Sequence, residues 1–174
     1  MSGVSDKVDS PMTEAIFHAL LRTLGLVRQV MEPYFARFGI SGPQWAVLRV
    51  LHDGQRDGRR WLPLKDVGRC LLIQPPSVTG VVDRLERQGL VERHTSPADL
   101  RVRRVNLTPA GRKLVAKVLA AHGDQIRSLF AGLRPQEQED LLGLLGQLEA
   151  HLGALAHRQH GPGAAERKPA VGHV

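Results

Sequence analysis

Apolar positions near the start of the chain recur at helical spacing. Ile16, Leu20, Leu24, Val27 and Met31 step by three or four after Ser10-Pro11, a cap followed by a first helical residue. Pro33 leaves two readings open: the helix kinks and continues, or it stops and restarts. Tyr34, Phe35 and Phe38 keep the apolar character until Gly39 ends it. Ser41-Gly42-Pro43-Gln44 has the form of a capping box and opens a second helix with Trp45, Val47, Leu48 and Leu51, ending near Asp53-Gly54. A polar loop over 55–60 leads to a short strand at Trp61-Leu62. Residues 64–72 predict a third helix with Val67, Leu71 and Leu72 inward, and Ile73-Gln74 a turn. Glycine in a helix interior costs ~1 kcal/mol, so Gly68 indicates close packing or a weak helix.

The next stretch organises the chain. A fourth helix begins at Pro75 or Pro76 and ends at Gly89, since proline suits a first turn and glycine the left-handed residue after the last. Val78, Val81, Val82 and Leu85 form its buried face. The other face carries Ser77, Thr79, Gly80, Asp83, Arg84 and Arg87. Small residues there allow close approach, and arginines reach phosphates and guanine edges. Residues 90–95 and 101–107 alternate as two strands around the turn signal Ser96-Pro97-Ala98-Asp99, with Arg103, Val105 and Leu107 on one face. Arg101, Arg103 and Arg104 lie near the hairpin tip, where a minor groove or DNA backbone would pass. A solvated surface hairpin is the competing reading.

Thr108-Pro109 starts a fifth helix carrying Leu114, Val115, Val118, Leu119, Ile126, Leu129 and Phe130 and ending near Gly132. Pro135 opens the last helix. Its Leu141, Leu145, Leu148, Leu152 and Leu155 form a narrow heptad seam suited to a second helix, widened by Leu142 and Leu144. Residues 158–174, rich in Gly, Pro and Ala, predict a disordered tail, and residues 1–10 a mobile N-terminus.

Composition sharpens the picture at one place. The 174 residues carry a formal charge of +7 and a hydrophobic fraction of 42%, enough for a globular core. Residues 84–113 alone hold eight basic side chains against three acidic ones, so most of the excess is local to the fourth helix and hairpin, as a nucleic-acid footprint requires. The single cysteine, Cys70, rules out an intramolecular disulfide framework. Beside Leu71 and Leu72 it reads as a core thiol. No apolar run approaches the ~20 residues of a membrane span, and the N-terminus lacks a signal-peptide core, so a cytoplasmic protein without membrane association is expected.

Residues 77–93, SVTGVVDRLERQGLVER, followed by Asp99-Leu100-Arg101, Val105 and Leu107-Thr108-Pro109-Ala110-Gly111, resemble the winged helix-turn-helix of the MarR family, regulators of multiple antibiotic resistance type. With flanking helices the resemblance extends over roughly residues 12–157. It implies a mainly α fold with a small β-wing (α+β): a DNA-binding lobe at 62–111 between dimerisation helices at 11–38 and 109–157, together one winged-helix domain over 11–157. The chain departs from the family pattern in Gly68, where alanine is commoner, in the double Pro75-Pro76, and in a longer 55–60 loop.

The function implied is a homodimeric transcription regulator, most simply a repressor, bound to a pseudo-palindromic operator in double-stranded DNA. Gln74, Pro75, Ser77, Thr79, Gly80, Asp83, Arg84, Arg87, Asp99, Arg101, Arg103 and Arg104 are the expected DNA-contacting positions. Asp99 would hold Arg101 for the minor groove by a charge-assisted hydrogen bond. Family effectors lodge between the dimerisation helices and the DNA-binding lobe. There His18, Arg22, Trp45 and Arg49 would offer a small aromatic carboxylate a wall and polar anchors, unless Trp45 is core and the arginines surface. Peroxide-sensing members carry a reactive cysteine in the first helix, where this chain has none. No nucleotide-binding, zinc-hydrolase or serine-hydrolase motif stands in the chain, so neither an enzyme nor a cofactor is expected. Among eight histidines, only His157 and His160 have helical spacing, without a joining Cys or carboxylate cluster, and no metal site is expected. The rival function is a winged-helix interaction adaptor without DNA binding.

Overall fold

A computed structural model describes residues 10–71, 75–96 and 99–159. The expected mobile N-terminus, the tail from residue 160, Leu72, the turn at Ile73-Gln74 and the hairpin tip Pro97-Ala98 lie outside the described residues. So do the side chains of Pro75, Ser77, Asp99 and Arg101. Six helices and three strands follow in the order α1 (Ser10–Ala36), α2 (Gly42–Arg56), β1 (Leu62–Pro63), α3 (Leu64–Leu71), α4 (Pro75–Arg87), β2 (Val91–Ser96), β3 (Asp99–Leu107), α5 (Pro109–Phe130) and α6 (Pro135–Gln159). The chain divides into two units, one extending to Ile126 and the other starting at Arg127.

In the first unit α1 runs through Pro33 without interruption, which settles the alternative left open by the sequence. Gly39 follows at φ +71°, a conformation that favours glycine. Ser41 caps α2 as its spacing predicts. Its hydroxyl accepts from the Gln44 backbone N–H, while the Gln44 side chain accepts from the Ser41 N–H at 2.9 Å.

The end of α2 corrects the sequence reading, because the helix continues past Asp53-Gly54 to Arg56. Gly54 is not a stop signal but a point of close approach: a Cβ there would lie 2.7 Å from Cδ1 of Leu62 on β1. Asp53 stays helical and pairs with Arg49 at 2.9 Å, one turn back.

The core of this unit is built from one face of each element. Val47, Leu48 and Leu51 of α2 meet Val67 of α3 and Val78, Val82 and Leu85 of α4 in a cluster with almost no solvent exposure. Val105 and Leu107 of β3 and Val115 and Val118 of α5 are likewise fully buried. The sheet is antiparallel in the order β1-β3-β2, with Leu62 opposite Val105 and Val91 opposite Leu107. The third strand foreseen at Trp61-Leu62 is therefore present one residue later, on β3.

Cys70 is exposed, contrary to the core thiol expected. The inward line of α3 passes through Val67 and Gly68, both buried, and Leu71 one turn after Val67. At about 100° per residue Cys70 projects roughly a quarter-turn to one side of that line.

In the second unit α6 is a 25-residue helix begun by Pro135 and by Glu137, whose carboxylate accepts from the Arg134 backbone N–H at 2.8 Å. Hydrogen bonds from Arg134 hold the Glu137 carboxyl below its ordinary pKa. Leu142, Leu144, Leu145, Leu148 and Leu152 stand exposed along α6. In the first unit α1 likewise exposes Ile16, Leu20, Leu24 and Val27, whereas Met31 is buried. No helix among the described residues is long and apolar enough to cross a membrane.

Candidate nucleic-acid interface

The α4 helix is held along its apolar face, at its C-terminus and on one flank. Its apolar face is fully used, with Val78 and Val81 at 1% and 5% exposure and Val82 and Leu85 at zero. Its C-terminus is closed by a Schellman arrangement. Gly89 at φ +68° donates to the Glu86 carbonyl at 2.8 Å, and Leu90 donates to the Leu85 carbonyl at 2.9 Å. Gln44, in the first turn of α2, donates to the Gln88 side chain at 2.8 Å, tying that end to a second helix.

The start of α5 is fastened to the same corner. Thr108 Oγ1 donates to the Gly89 carbonyl at 2.7 Å and accepts from the Gly111 N–H at 3.0 Å. Gly111 closes the Leu-Thr-x-x-Gly motif for a steric reason: a Cβ at this position would sit 2.0 Å from the Leu90 carbonyl oxygen.

Arg93 of β2 fixes the flank of α4. Its guanidinium donates to the Thr79 carbonyl at 3.3 Å, forms an ion pair with Asp83 and lies 3.3 Å from Glu86. Thr79, Asp83 and Glu86 recur at i, i+4 and i+7, so they present one stripe of α4 to the strand. Asp83, expected to face DNA, thus spends its carboxylate on this brace. Periodicity distinguishes a buried face from an outer one but does not say which outer residues meet a neighbouring strand.

What remains outward is basic and small. Arg84 and Arg87 are exposed, with Arg87 Nε donating at 3.4 Å to the Asp83 carbonyl, and Gly80 has open space where a Cβ would stand. On β3 the side chains of Arg103 and Arg104 are also exposed, opposite Thr95 and His94 of β2. Trp61, just before β1, contacts His94 with ring centroids 5.3 Å apart. Helix and hairpin therefore form one braced block with arginines on both of its projecting parts.

The four residues proposed for an effector divide into two places. Trp45 is 7% exposed and stacks on Phe35 at 5.9 Å. Arg49, one turn further along α2, is paired with Asp53. His18 and Arg22 are exposed on α1, His18 beside Glu14 at 3.8 Å. They precede Phe35 by thirteen to seventeen residues, roughly 20–25 Å of helix, so one chain does not bring them to Trp45.

The residue that sequence reasoning missed beside Trp45 is His122 of α5. Its ring lies 5.2 Å from Trp45, 5.8 Å from Tyr34 and 6.3 Å from Phe35, and its Nδ1 is buried with no hydrogen-bond partner. Burial, then the Arg49 charge, lowers the His122 pKa. Tyr34 anchors the cluster by donating to the Val118 carbonyl at 2.9 Å, and burial raises its pKa. The signal was available, because Val115, Val118 and His122 follow i, i+3, i+7 on one face of α5. No grouping of three or more potential metal ligands occurs among the described residues.

A helix-turn-helix of α3 and α4 with a β2–β3 hairpin against it defines a winged helix-turn-helix. Known proteins give the architecture its relatives. The MarR family model matches residues 38–101. The HTH-type transcriptional regulator YkoM of Bacillus subtilis is 33% identical over 120 residues, which cover 69% of this chain and 75% of YkoM. Two solved structures superpose with similar coverage. Bordetella bronchiseptica BpsR, whose DNA binding is regulated by 6-hydroxynicotinic acid, gives a TM-score of 0.70 at 28% identity over 78% of this chain and 98% of BpsR. MepR of S. aureus, in complex with DNA, gives 0.68 at 25% over 78% and 97%. The chain belongs to the MarR family of transcriptional regulators. That membership, and not the lack of a catalytic constellation, sets an enzymatic role aside.

Proposed function

We propose that the protein is a homodimeric repressor that grips a pseudo-palindromic operator and is released by a small aromatic effector. The observation that carries the DNA part is the braced block: α4 is buried on its apolar face and fastened at its flank and C-terminus. It presents Gly80, Arg84 and Arg87 outward, beside a hairpin that exposes Arg103 and Arg104. Each subunit inserts α4 in a major groove. Ser77 and Arg84 contact bases or phosphates, Thr79 stays on the stripe that faces β2, and Arg87, Arg103 and Arg104 follow the backbone. Arg101, steadied by Asp99, enters the adjacent minor groove. Pro75, the first residue of α4, and Gln74, which precedes it in sequence, would meet phosphates. The binding of DNA by MepR supports this reading.

A second copy of the chain covers the apolar rows on α1 and on α6. Rows of this length are uncommon on the surface of a monomer, and the leucine seam of α6 has the spacing of a helix–helix contact. Two α4 helices related by such a dimer would address half-sites about one helical turn, ~34 Å, apart.

The effector reading rests on the Trp45–His122 cluster, which brings together buried aromatic rings, a ring nitrogen without a partner and Arg49, which would exchange its Asp53 partner for a ligand carboxylate. These suit an aromatic carboxylate, and the regulation of BpsR by 6-hydroxynicotinic acid points the same way. The test is to recover the genomic fragments the purified protein retains, then to screen aromatic acids for release. Retention of fragments sharing a pseudo-palindrome, and release that is lost in Trp45→Ala, are the expected results. Retention without any common sequence would refute specific regulation.

A further inference from the structure

Away from α4 and from the aromatic cluster, a cavity of about 340 Å³ is lined by Gln55, Gly58, Arg60, Asn106 and Arg112. Its size falls within the range of small-molecule sites, roughly 300–1,000 Å³. Its lining does not resemble that of an aromatic-effector pocket, because every lining side chain is a polar hydrogen-bonding group and two are guanidinium ions.

Those two charges meet no carboxylate within the lining. Arg60 has no hydrogen-bond or ion-pair partner among the described residues. Arg112 commits Nη1 to the Leu107 carbonyl at 2.7 Å. Asp57, three residues before Arg60, pairs with Arg59 at 3.1 Å, and Glu92, across the sheet from Asn106, accepts from Asn106 Nδ2 at 3.1 Å. The floor is hydrogen-bonded and buried: Asn106 is 3% exposed and its Oδ1 accepts from Gln55 Nε2. Gln55 Oε1 remains to accept a hydroxyl. Gly58, at φ +77°, turns the chain so that Arg60 comes back over Asn106 and Arg112.

We propose that this cavity binds a small, oxygen-rich dianion, a phosphate monoester or a dicarboxylate, held between Arg60 and Arg112. A planar guanidinium matches either oxyanion with paired hydrogen bonds, and a doubly charged ligand offsets the repulsion of two arginines sharing one cavity. Gln55 lies eleven residues, ~16 Å of helix, beyond Gln44, the α2 residue that meets the end of α4. Bound there, the anion joins the segment after α2 to the base of β3 and the start of α5. The site stands independently of the DNA-binding reading.

Calorimetric titration of the full chain, without DNA and at fixed ionic strength, tests it with inorganic phosphate, glucose 6-phosphate and citrate as probes. At least one saturates with a Kd of about 1 mM or tighter, and the ranking separates phosphate from carboxylate chemistry. Arg60→Gln and Arg112→Gln each weaken that probe about tenfold, while Arg28→Gln on α1 leaves it unchanged. Should Arg112→Gln fail to fold, Arg60→Gln decides, because Arg60 is exposed and its replacement breaks no hydrogen bond or ion pair among the described residues. The proposal is overturned by the absence of saturable binding up to about 10 mM, or by equal weakening in Arg28→Gln. It is also overturned if Arg60→Gln weakens only DNA binding, which would make the cavity a backbone contact.

Discussion

The Arg93 guanidinium on β2 pairs with the Asp83 carboxylate on α4, and the same guanidinium reaches Glu86 and the Thr79 carbonyl. The helix proposed to read DNA is thereby locked to the strand that leads into the wing. The Arg93 side chain is 21% exposed and that of Asp83 48%, so the brace is partly sheltered and only partly screened. Arg93→Met should cost about 1–2 kcal/mol in chemical denaturation, between the values for surface and buried pairs. Asp83→Asn should cost less, since Glu86 and the carbonyl remain. Equal stability of wild type and Arg93→Met would show that the contact does not hold α4.

Two glycines should respond in opposite directions. Gly111→Ala drives a Cβ into the Leu90 carbonyl oxygen and should destabilise by about 3 kcal/mol. Gly80→Ala meets open space within a helix and should stabilise by roughly 0.5–1 kcal/mol. On the DNA-binding reading the same Gly80→Ala weakens operator binding, because the methyl projects on the outward face. Thermal melts and DNA titrations of both variants separate the two effects.

His122 gives the fold an acid-sensitive point. Its pKa is lowered in the folded state, chiefly by burial and further by Arg49, so the unfolded chain binds the proton more readily. Its stabilising contribution is present above the unfolded histidine value of ~6.5 and is lost as pH falls from there through the lower folded value. Denaturation midpoints of wild type should therefore drop across that window, and His122→Phe should flatten the drop. A parallel decline in both proteins would assign the acid sensitivity elsewhere.

On α6, Leu148→Asp should shift sedimentation from dimer to monomer while helical content measured by circular dichroism stays near wild type. A monomeric wild type would remove the proposed partner for the exposed leucines.

Much of this architecture was legible because local chemistry and the final packing agree. The Ser41 capping box, Thr108-Pro109 and Gly89 each mark a boundary that the fold keeps, and the Val78–Leu85 stripe is the buried face of α4. Where the reading failed, a long-range contact overrode a local signal. Gly54 looked like a helix end and serves instead to admit Leu62. Cys70 sits among apolar neighbours in sequence but projects beside the inward line of α3. The role of Asp83 depends on a strand ten residues later, and His122 gains meaning only when α1, α2 and α5 bring their aromatic rings around it. Of the expected site residues, Arg84, Arg87, Arg103 and Arg104 stand exposed on the braced block, whereas Trp45 and Arg49 are separated from His18 and Arg22.

The most direct test is a mobility-shift titration with DNA from upstream of the protein's own gene, run for wild type and Arg84→Ala at two salt concentrations. Wild-type affinity should fall by about a thousandfold or more between ~50 and ~200 mM salt, and Arg84→Ala should lose about 1–3 kcal/mol of binding with folding intact. Binding that ignores both salt and Arg84, or no binding to any genomic fragment, would contradict the account.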